Sequence, residues 1–536
     1  LNGTHGSTVK RKSNFDTPSG KANKSHEMSS PGGMLTPKGD GTKGAFDFAA
    51  RENAGDISEQ LNGQIALPEP PAEPFTESRI KLKANTDMSK FSYKTMAMKL
   101  SEASEVLDDR IDEVRQLVQE HHKLEDSAFG NASHQSPSEI IAVGRIASDA
   151  LEGKLNPASL VLEGSRRRGG GRRVPLNLDN LPSYNFFPGQ IVALRGTNAS
   201  GDYFTVNEIL PLPLLNQPAS KPFELDAHNA RLSGPDSLDA TTTRPLTILI
   251  AAGPYTTDTD LDFAPLHTLL ENAVSSAAEA LILIGPFLDA EHPLIRTGDF
   301  DIPPHVTSPD HATMTDVFRH YISSALQNFA QRLPTCSVIL VPSLRDAHHR
   351  HAVWPQDKFP KKELGLGKMV QCVTNPMTLS MNEIIFGMSS LDVLDMLRRE
   401  EIVGGEARRR NIYERGARNV IEQRTFLPVF PPTAREKLGA PAPVEEKLFK
   451  KSKSSDVEMK DGADAAGGTQ QEEEEEDEGP GPYLPLGTML DTSYLKLGEM
   501  LNVRPDVLIT PSVLQGCVKV SPNLPLLGSY SLGTAC

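Results

Sequence analysis

The densest set of potential metal donors in this chain is Asp346, His348, His349 and His351, gathered in one short stretch. Two imidazoles and a carboxylate can bind a transition metal. Adjacent histidines point in different directions on any regular backbone, so the cluster also suits a structural role, hydrogen-bonding its own loop. A second candidate is the run Arg166-Arg167-Arg168-Gly-Gly-Gly-Arg172-Arg173, which has the charge to touch a phosphate backbone. It carries no interleaved aromatic rings for base stacking, and a solvated hairpin tip is the competing reading. A third set is Thr17, Ser30 and Thr36, each followed by Pro and near a Lys. Proline-directed kinases favour such sites, and each phosphate would add about −1.5 to −2 charge.

These residues need elements to hold them. From Arg244 onward the texture is α/β, with buried-strand runs PLTILIAA, ALILIGPFLD, SVILVPSLRD, EIIFGMS and DVLIT. The spacing predicts helices around 264–280, 315–331 and 390–400 that cover a sheet on both faces. In an open α/β sheet chemistry sits beyond the carboxyl ends of the strands. Those ends read Ala252-Gly253-Pro254, Gly285-Pro286-Phe287-Leu288-Asp289, Val341-Pro342-Ser343-Leu344, Phe386-Gly387 and Pro511-Ser512-Val513-Leu514. Prolines and apolar side chains stand where a hydrolytic metal site needs oxygen or imidazole donors.

Upstream, EIIAVGRIA, SLVLEG, RVPLNL, GQIVALRGTN and YFTVNEIL are short strands between Gly, Asn and Pro turns, which suits a small barrel over 126–240, the OB-fold first. Met96, Leu100, Ala103, Leu107, Ile111, Val114 and Val118 recur at steps of four and three, predicting an amphipathic helix within 91–125 that ends near His122. Residues 1–90 lack any sustained period and read as a disordered tail. The stretch 431–482, with the acidic run Glu472 to Glu478, reads as a disordered insertion in the remaining domain, 241–536.

The 41 Gly and 42 Pro, with only 38% hydrophobic residues, agree with a chain that is partly tail and linker. A net charge of −15 argues against holding duplex DNA unaided and favours protein partners. Cys336, Cys372, Cys517 and Cys536 form no C-x-x-C pair, and no apolar run is long enough for a membrane span, so a reduced intracellular setting is expected. A chain that begins at Leu1 with no secretory signal is expected to have lost upstream sequence.

The order and spacing of the strand-end segments resemble the calcineurin-like metallophosphoesterase fold as inherited by replicative polymerase B subunits. Active members carry D-x-H, G-D-x-x-D, G-N-H-D/E, a lone His and G-H-x-H, which hold two metals that activate an in-line water. Against that pattern Ala252 and Pro254 fall on D-x-H, Pro286 on the bridging aspartate, Ser343 or Leu344 near the Asn-His pair, Phe386 on the lone His, and Ser512 and Leu514 on the last two. Only Asp289 remains of the ligand set. The segments GKLNPASLVLEG, FFPGQIVALRGTN, GPYTT, ILIGPFLDAEH, VPSLRDAHH, LSMNEIIFGMSSLDVL, QRTFLPVFPP and RPDVLITPSVL are similar to the B subunits of DNA polymerase alpha-primase, more so than to those of the delta or epsilon polymerases.

The resemblance implies an OB-fold barrel packed on an inactivated, two-sheet phosphoesterase-like α/β domain. It implies no catalytic residue, metal or other cofactor, and a nuclear regulatory and scaffolding subunit that supports RNA-DNA primer synthesis. The implied partners are the zinc-bearing C-terminal region of the polymerase alpha catalytic subunit and, through it, primase, with DNA met only indirectly or weakly and no membrane. Two other readings stay open: a metal-dependent phosphoesterase or nuclease using Asp289, Asp346 and the histidines, and a single-stranded DNA-binding OB protein. The final segment GCVKVSPNLPLLGSYSLGTAC departs from the family, which continues further and closes with another strand.

Overall fold

The computed structural model describes residues 48–432 and 490–531, apart from 52–53, 66–68, 72–74, 151–152, 234–244, 305, 307–308, 501 and 522–526. Thr17, Ser30, Thr36 and nearly all of the expected insertion lie outside the described residues. The expectation of unstructured chain as far as residue 90 fails from Arg79 onward. Arg79 is buried and ion-paired with Glu279, Ile80 joins the core, and β1 (Leu82–Ala84) pairs antiparallel with Leu379–Met381. So short a strand carries too little periodicity to be read from sequence.

The predicted amphipathic helix is α1 (Leu100–His122), closed by Lys123 in the left-handed region. Its stripe starts later than the spacing suggests. Ile111 and Val118 are buried and Val114 is partly so, but Met96 and Leu100 stand in solvent. All five predicted barrel strands form: β2 (Ser136–Ser148), β3 (Leu160–Glu163), β4 (Arg173–Asn177), β6 (Ile191–Asn198) and β7 (Phe204–Leu210), with α2 (Arg166–Gly169) after β3 and β5 (Ser183–Phe186) after β4. They close in the order β2-β3-β4-β7-β6, and the β4–β7 seam is parallel, with Leu176 opposite Phe204. Alternate residues such as Leu160, Leu162, Val174, Leu194 and Val206 fill the interior.

After α3 (Pro222–Ser233) the chain builds β8 (Ile248–Ala252), α4 (Ala264–Ser275), β9 (Ala280–Ile284), α5 (Pro293–Thr297), α6 (Met314–Phe318), a π-helical turn, α7 (Ser324–Arg332), β10 (Ser337–Val341) and β11 (Val370–Cys372). Strands β8 to β11 make a four-stranded parallel sheet. Next come β12 (Met377–Met381), β13 (Ile384–Met388), α8 (Val393–Glu400), β14 (Ile402–Gly405), α9 (Ile412–Glu422), β15 (Val507–Ile509), β16 (Cys517–Ser521) and β17 (Leu527–Ser531). A second sheet runs β1-β12-β13-β15-β17-β16. The segment from Gly516 onward contributes strands β16 and β17, with β17 pairing parallel with β15.

Two sheets lie face to face, the number the resemblance implies, and the reading of one sheet covered by helices on both faces is corrected. Ala280, Ile282, Ile284, Ile339 and Val341 of the parallel sheet meet Met377, Leu379, Phe386, Met388 and Ile509 of the other. Leu281, Leu283, Val338 and Leu340 point the opposite way, onto α4 and α7, while α8 and α9 cover the second sheet. Near-continuous apolar runs follow from this, because both faces of each central strand are buried. At about 1.5–3 kcal/mol per fully buried Ile or Leu, this dry layer anchors the ends from which the site loops emerge. The barrel is tied to the α/β part where β5 pairs antiparallel with β14, Phe186 opposite Ile402.

Candidate functional site

The loops leaving β8, β9 and β10 converge, as strand ends of a parallel sheet must. At Gly253 and Gly285 they pack closely. A Cβ on Gly253 would stand 2.0 Å from the Pro286 carbonyl oxygen, and one on Gly285 would stand 2.7 Å from Asp346 Oδ2. Asp346 is the centre of this arrangement. Its Oδ1 accepts the Phe287 N–H at 2.6 Å and the Leu288 N–H at 3.2 Å, and its Oδ2 accepts the Ser343 N–H at 2.8 Å. Burial pushes its carboxyl up to about 7, against the pull of those three donors.

Asp289, the one expected ligand position that keeps a carboxylate, is taken by Arg345, whose Nε donates at 2.9 Å and whose Nη2 completes a bidentate pair. It also accepts the Glu291 N–H at 3.0 Å. The backbones zip together as well, Ala290 N–H to Arg345 O and Ala347 N–H to Leu288 O, each at 2.8 Å. Beneath the loops, Phe287 packs between Tyr255, Phe318 and Phe359, and the Tyr255 hydroxyl donates to the Ile284 carbonyl. Both carboxylates are therefore spent on holding loops.

The histidines do not converge. His348 lies against Phe318 and Phe359, and neither of its ring nitrogens has a hydrogen-bond partner. Burial, helped by His349, pushes its pKa down to about 3. His349 Nε2 meets the Asp357 carbonyl at 2.9 Å, and His351 stands edge-on to Tyr93. The ring centroids of His348 and His349, and of His349 and His351, are 6.4 Å apart. Ligands of one metal at about 2.0–2.1 Å from each nitrogen would need the rings aimed at a common point. Among the described residues no group of three His, Cys, Asp or Glu is placed to hold a metal.

Of the other positions, Ala252 ends β8, Pro254 and Pro286 follow cis peptide bonds, and Ser343 is buried at the turn after β10. Phe386 departs from its expected place at a strand end. It lies inside β13, paired with Leu379 and facing the dry layer, and the strand ends two residues later. Ser512 and Leu514 belong to a separate knot at the N-terminus of α8. There Asp392 caps the helix through the Asp395 N–H, accepts the Val513 N–H at 2.8 Å and takes the Ser512 hydroxyl.

Sequence reasoning missed the amides that link the two groups of loops. Asn375 and Gln356, both wholly buried, join through paired backbone bonds. Gln356 Nε2 donates to the Ser343 and His351 carbonyls, and Asn375 Oδ1 accepts the Ser389 hydroxyl and the Ser390 N–H. No motif marks them, because an isolated Asn or Gln looks like a surface residue until its partners are known. The same holds for His292, which caps α5 and reaches the Thr257 carbonyl at 2.7 Å.

The arginine loop is not a free hairpin tip. Arg166 to Arg168 form α2, and their guanidiniums meet the acidic face of α1: Arg166 with Asp108, Arg167 with Asp109 at 2.6 Å and Asp112 at 3.4 Å, Arg168 with Asp112 at 3.5 Å. Arg173 pairs with Glu163 at 2.8 Å. A pocket of about 330 Å³ lies between this loop, α1 and the barrel. The loop therefore serves as a latch between helix and barrel.

Comparison with known proteins agrees with this division. Residues 104–212 match the family model for the OB domain of the DNA polymerase alpha B subunit, and residues 248–519 match the model for the B subunit of DNA polymerases alpha and epsilon. The DNA polymerase alpha B subunit of Schizosaccharomyces pombe is 34% identical over 474 residues, covering 88% of this chain and 70% of the relative. That of Saccharomyces cerevisiae is 34% identical over 499 residues, 89% and 65%, and that of Rattus norvegicus 31% over 346 residues, 64% and 52%. With both parts matched and the fission yeast protein covered over more than two thirds of its length, the chain belongs to the family of DNA polymerase alpha B subunits.

Proposed function

We propose that this chain is a non-catalytic, scaffolding subunit of a nuclear DNA polymerase alpha-primase complex, and that its α/β part is a phosphoesterase-type fold turned from metal chemistry to structural work. The observation that carries the reading is the consumption of both strand-end carboxylates, Asp289 by Arg345 and Asp346 by three backbone N–H groups. Two metal ions need several convergent donors to activate a water. Ala252, Pro254, Pro286, Phe386 and Leu514 supply none. The residues present do not fit such a centre, and a rearranged hydrolase using Asp289, Asp346 and His348 would first have to break the ties described above.

A single-strand binder through the barrel is supported no better. The residues of β3 and β4 that alternate with the barrel core are Val161, Glu163, Arg173, Pro175 and Asn177. None is an aromatic ring on which a base could stack. Loops on a rigid sheet, freed from catalysis, are where a binding surface collects. The partner read from the family resemblance is the C-terminal zinc-bearing region of the catalytic subunit, tethered to primase. Affinity purification of the full chain from a eukaryotic extract should bring down a polymerase alpha catalytic chain and primase in stoichiometric amounts. Manganese- or zinc-dependent cleavage of a phosphodiester by the purified chain, with neither partner recovered, would overturn the reading.

A further inference from the structure

Arg166, Arg167, Arg168 and Arg173 are paired with carboxylates, whereas a second arginine run meets none among the described residues. Arg408, Arg409 and Arg410 are all exposed at the end of the 3-10 turn Glu406–Arg409. No carboxylate pairs with any of the three among the described residues. Arg408 donates from Nε to the Val403 carbonyl at 2.8 Å, which leaves its outer nitrogens to solvent. The neighbouring arginines are spoken for: Asp395 serves both Arg398 and Arg399, and Glu401 takes Arg415.

Two glycines present the run. A Cβ on Gly404 would stand 2.3 Å from the Tyr184 ring, and one on Gly405 would stand 1.9 Å from the Pro182 carbonyl oxygen. Gly405 also has φ of 60°. Only glycine lets β14 close on β5 and then turn outward. Ser183 fixes the exit, its hydroxyl accepting the Ala407 N–H at 3.0 Å. From the barrel side comes exposed Lys154, on the connection between β2 and β3, whose Nζ donates to the Arg398 carbonyl at 3.4 Å. In barrels of OB type this connection flanks the oligonucleotide face.

We propose that Arg408, Arg409, Arg410 and Lys154 form a sequence-independent site for the phosphate backbone of a nucleic-acid strand at the junction of barrel and α/β part. Three exposed guanidiniums fanning from one turn can each meet a phosphate of a strand that passes over it, and their place beside the barrel connection favours a nucleic acid over an acidic peptide. With no base-reading group, affinity comes from counterion release. Three to four cations give a slope of log K against log salt of about −2 to −3 for a single strand. The site does not depend on the polymerase-subunit reading, and its failure would leave that reading untouched.

The test is fluorescence anisotropy of the full chain with a labelled DNA strand of about 30 nucleotides and with an RNA–DNA hybrid, between about 30 and 200 mM salt. R408Q/R409Q/R410Q should weaken binding roughly tenfold or more and flatten the salt slope. R409Q/R410Q, which keeps the Arg408–Val403 contact, should lose most of the same slope with unfolding temperature unchanged. K154Q should reduce the slope by roughly one. Absence of binding at the lowest salt, or an unchanged slope in both arginine variants, overturns the proposal. Binding that appears only when the acidic run from Glu472 to Glu478 is neutralised by amide substitutions would assign the cations to the chain's own acidic run and overturn it equally.

Discussion

Replacing Asp346 tests whether a carboxylate now does what a metal centre would do in holding the strand-end loops together. Asp346→Ala removes the acceptor for three buried N–H groups, those of Phe287, Leu288 and Ser343. An unsatisfied buried donor costs about 1–3 kcal/mol, and partial relaxation of the loops lowers the total, so a loss of about 4 kcal/mol is expected. Asp346→Asn keeps one oxygen for the Phe287 and Leu288 donors but turns an NH2 toward the Ser343 N–H. Its expected cost is that of one lost acceptor, about 2 kcal/mol. The assay is urea unfolding followed by fluorescence of Trp354, the sole tryptophan, which is 1% exposed and packed against Gly498. The order wild type, Asn, Ala in midpoint is predicted. Equal midpoints for wild type and Asp346→Ala would refute the brace, as would an alanine variant more stable than the asparagine one.

His348 supplies a pH dependence. Its folded pKa, about 3, lies below the unfolded value of about 6.5, so its stability contribution is present above pH 6.5 and lost as pH falls toward 3. His348→Phe should remove part of the acid destabilisation between about pH 6.5 and 4, read as a shallower fall in melting temperature, while an unchanged profile would contradict the burial argument. Arg79→Ala strands a buried Glu279 and should cost about 3–5 kcal/mol, with early proteolysis ahead of β1 as the readout. Asp108→Ala removes the acceptor of both the Arg166 N–H and its guanidinium, and protease sensitivity within α1 should rise. Pro286→Asp places a carboxylate where the resemblance to phosphoesterases puts the bridging aspartate, and is expected to leave manganese-dependent phosphodiesterase activity at background, because Asp289 and Asp346 stay engaged.

The elements legible in the sequence are those whose apolar period survives burial. All five barrel strands, α1 and the central strands of both sheets show such periods. The short strands β1 and β5 do not: three residues of β1 hold less than two repeats of alternation, and β5, with Ser183 and Asn185, lacks the apolar run that marks the equally short β3. The second sheet is hidden for a different reason: a run buried on both faces looks the same whether helices or another sheet cover it. Among site residues, Pro254, Pro286 and Asp289 land at strand ends as spacing predicts. Phe386 does not, because β13 continues to Met388, two residues past the point read as its end. The use of Asp346 as a brace and of Asn375 and Gln356 as cross-links is illegible, since their partners are groups met only in the folded chain, several of them backbone atoms. Ionic pairing is equally invisible. Nothing in the arginine run at 166–168 shows that α1 neutralises it, and nothing at 408–410 shows that no carboxylate among the described residues does.

The measurement closest to the central claim is the mass, by light scattering on a sizing column, of the full chain mixed with the C-terminal region of a polymerase alpha catalytic subunit. A single peak with the mass of a one-to-one complex is predicted, unaffected by chelation of manganese or magnesium. Two separate peaks at micromolar concentration, together with metal-dependent hydrolysis by the chain alone, would contradict the account.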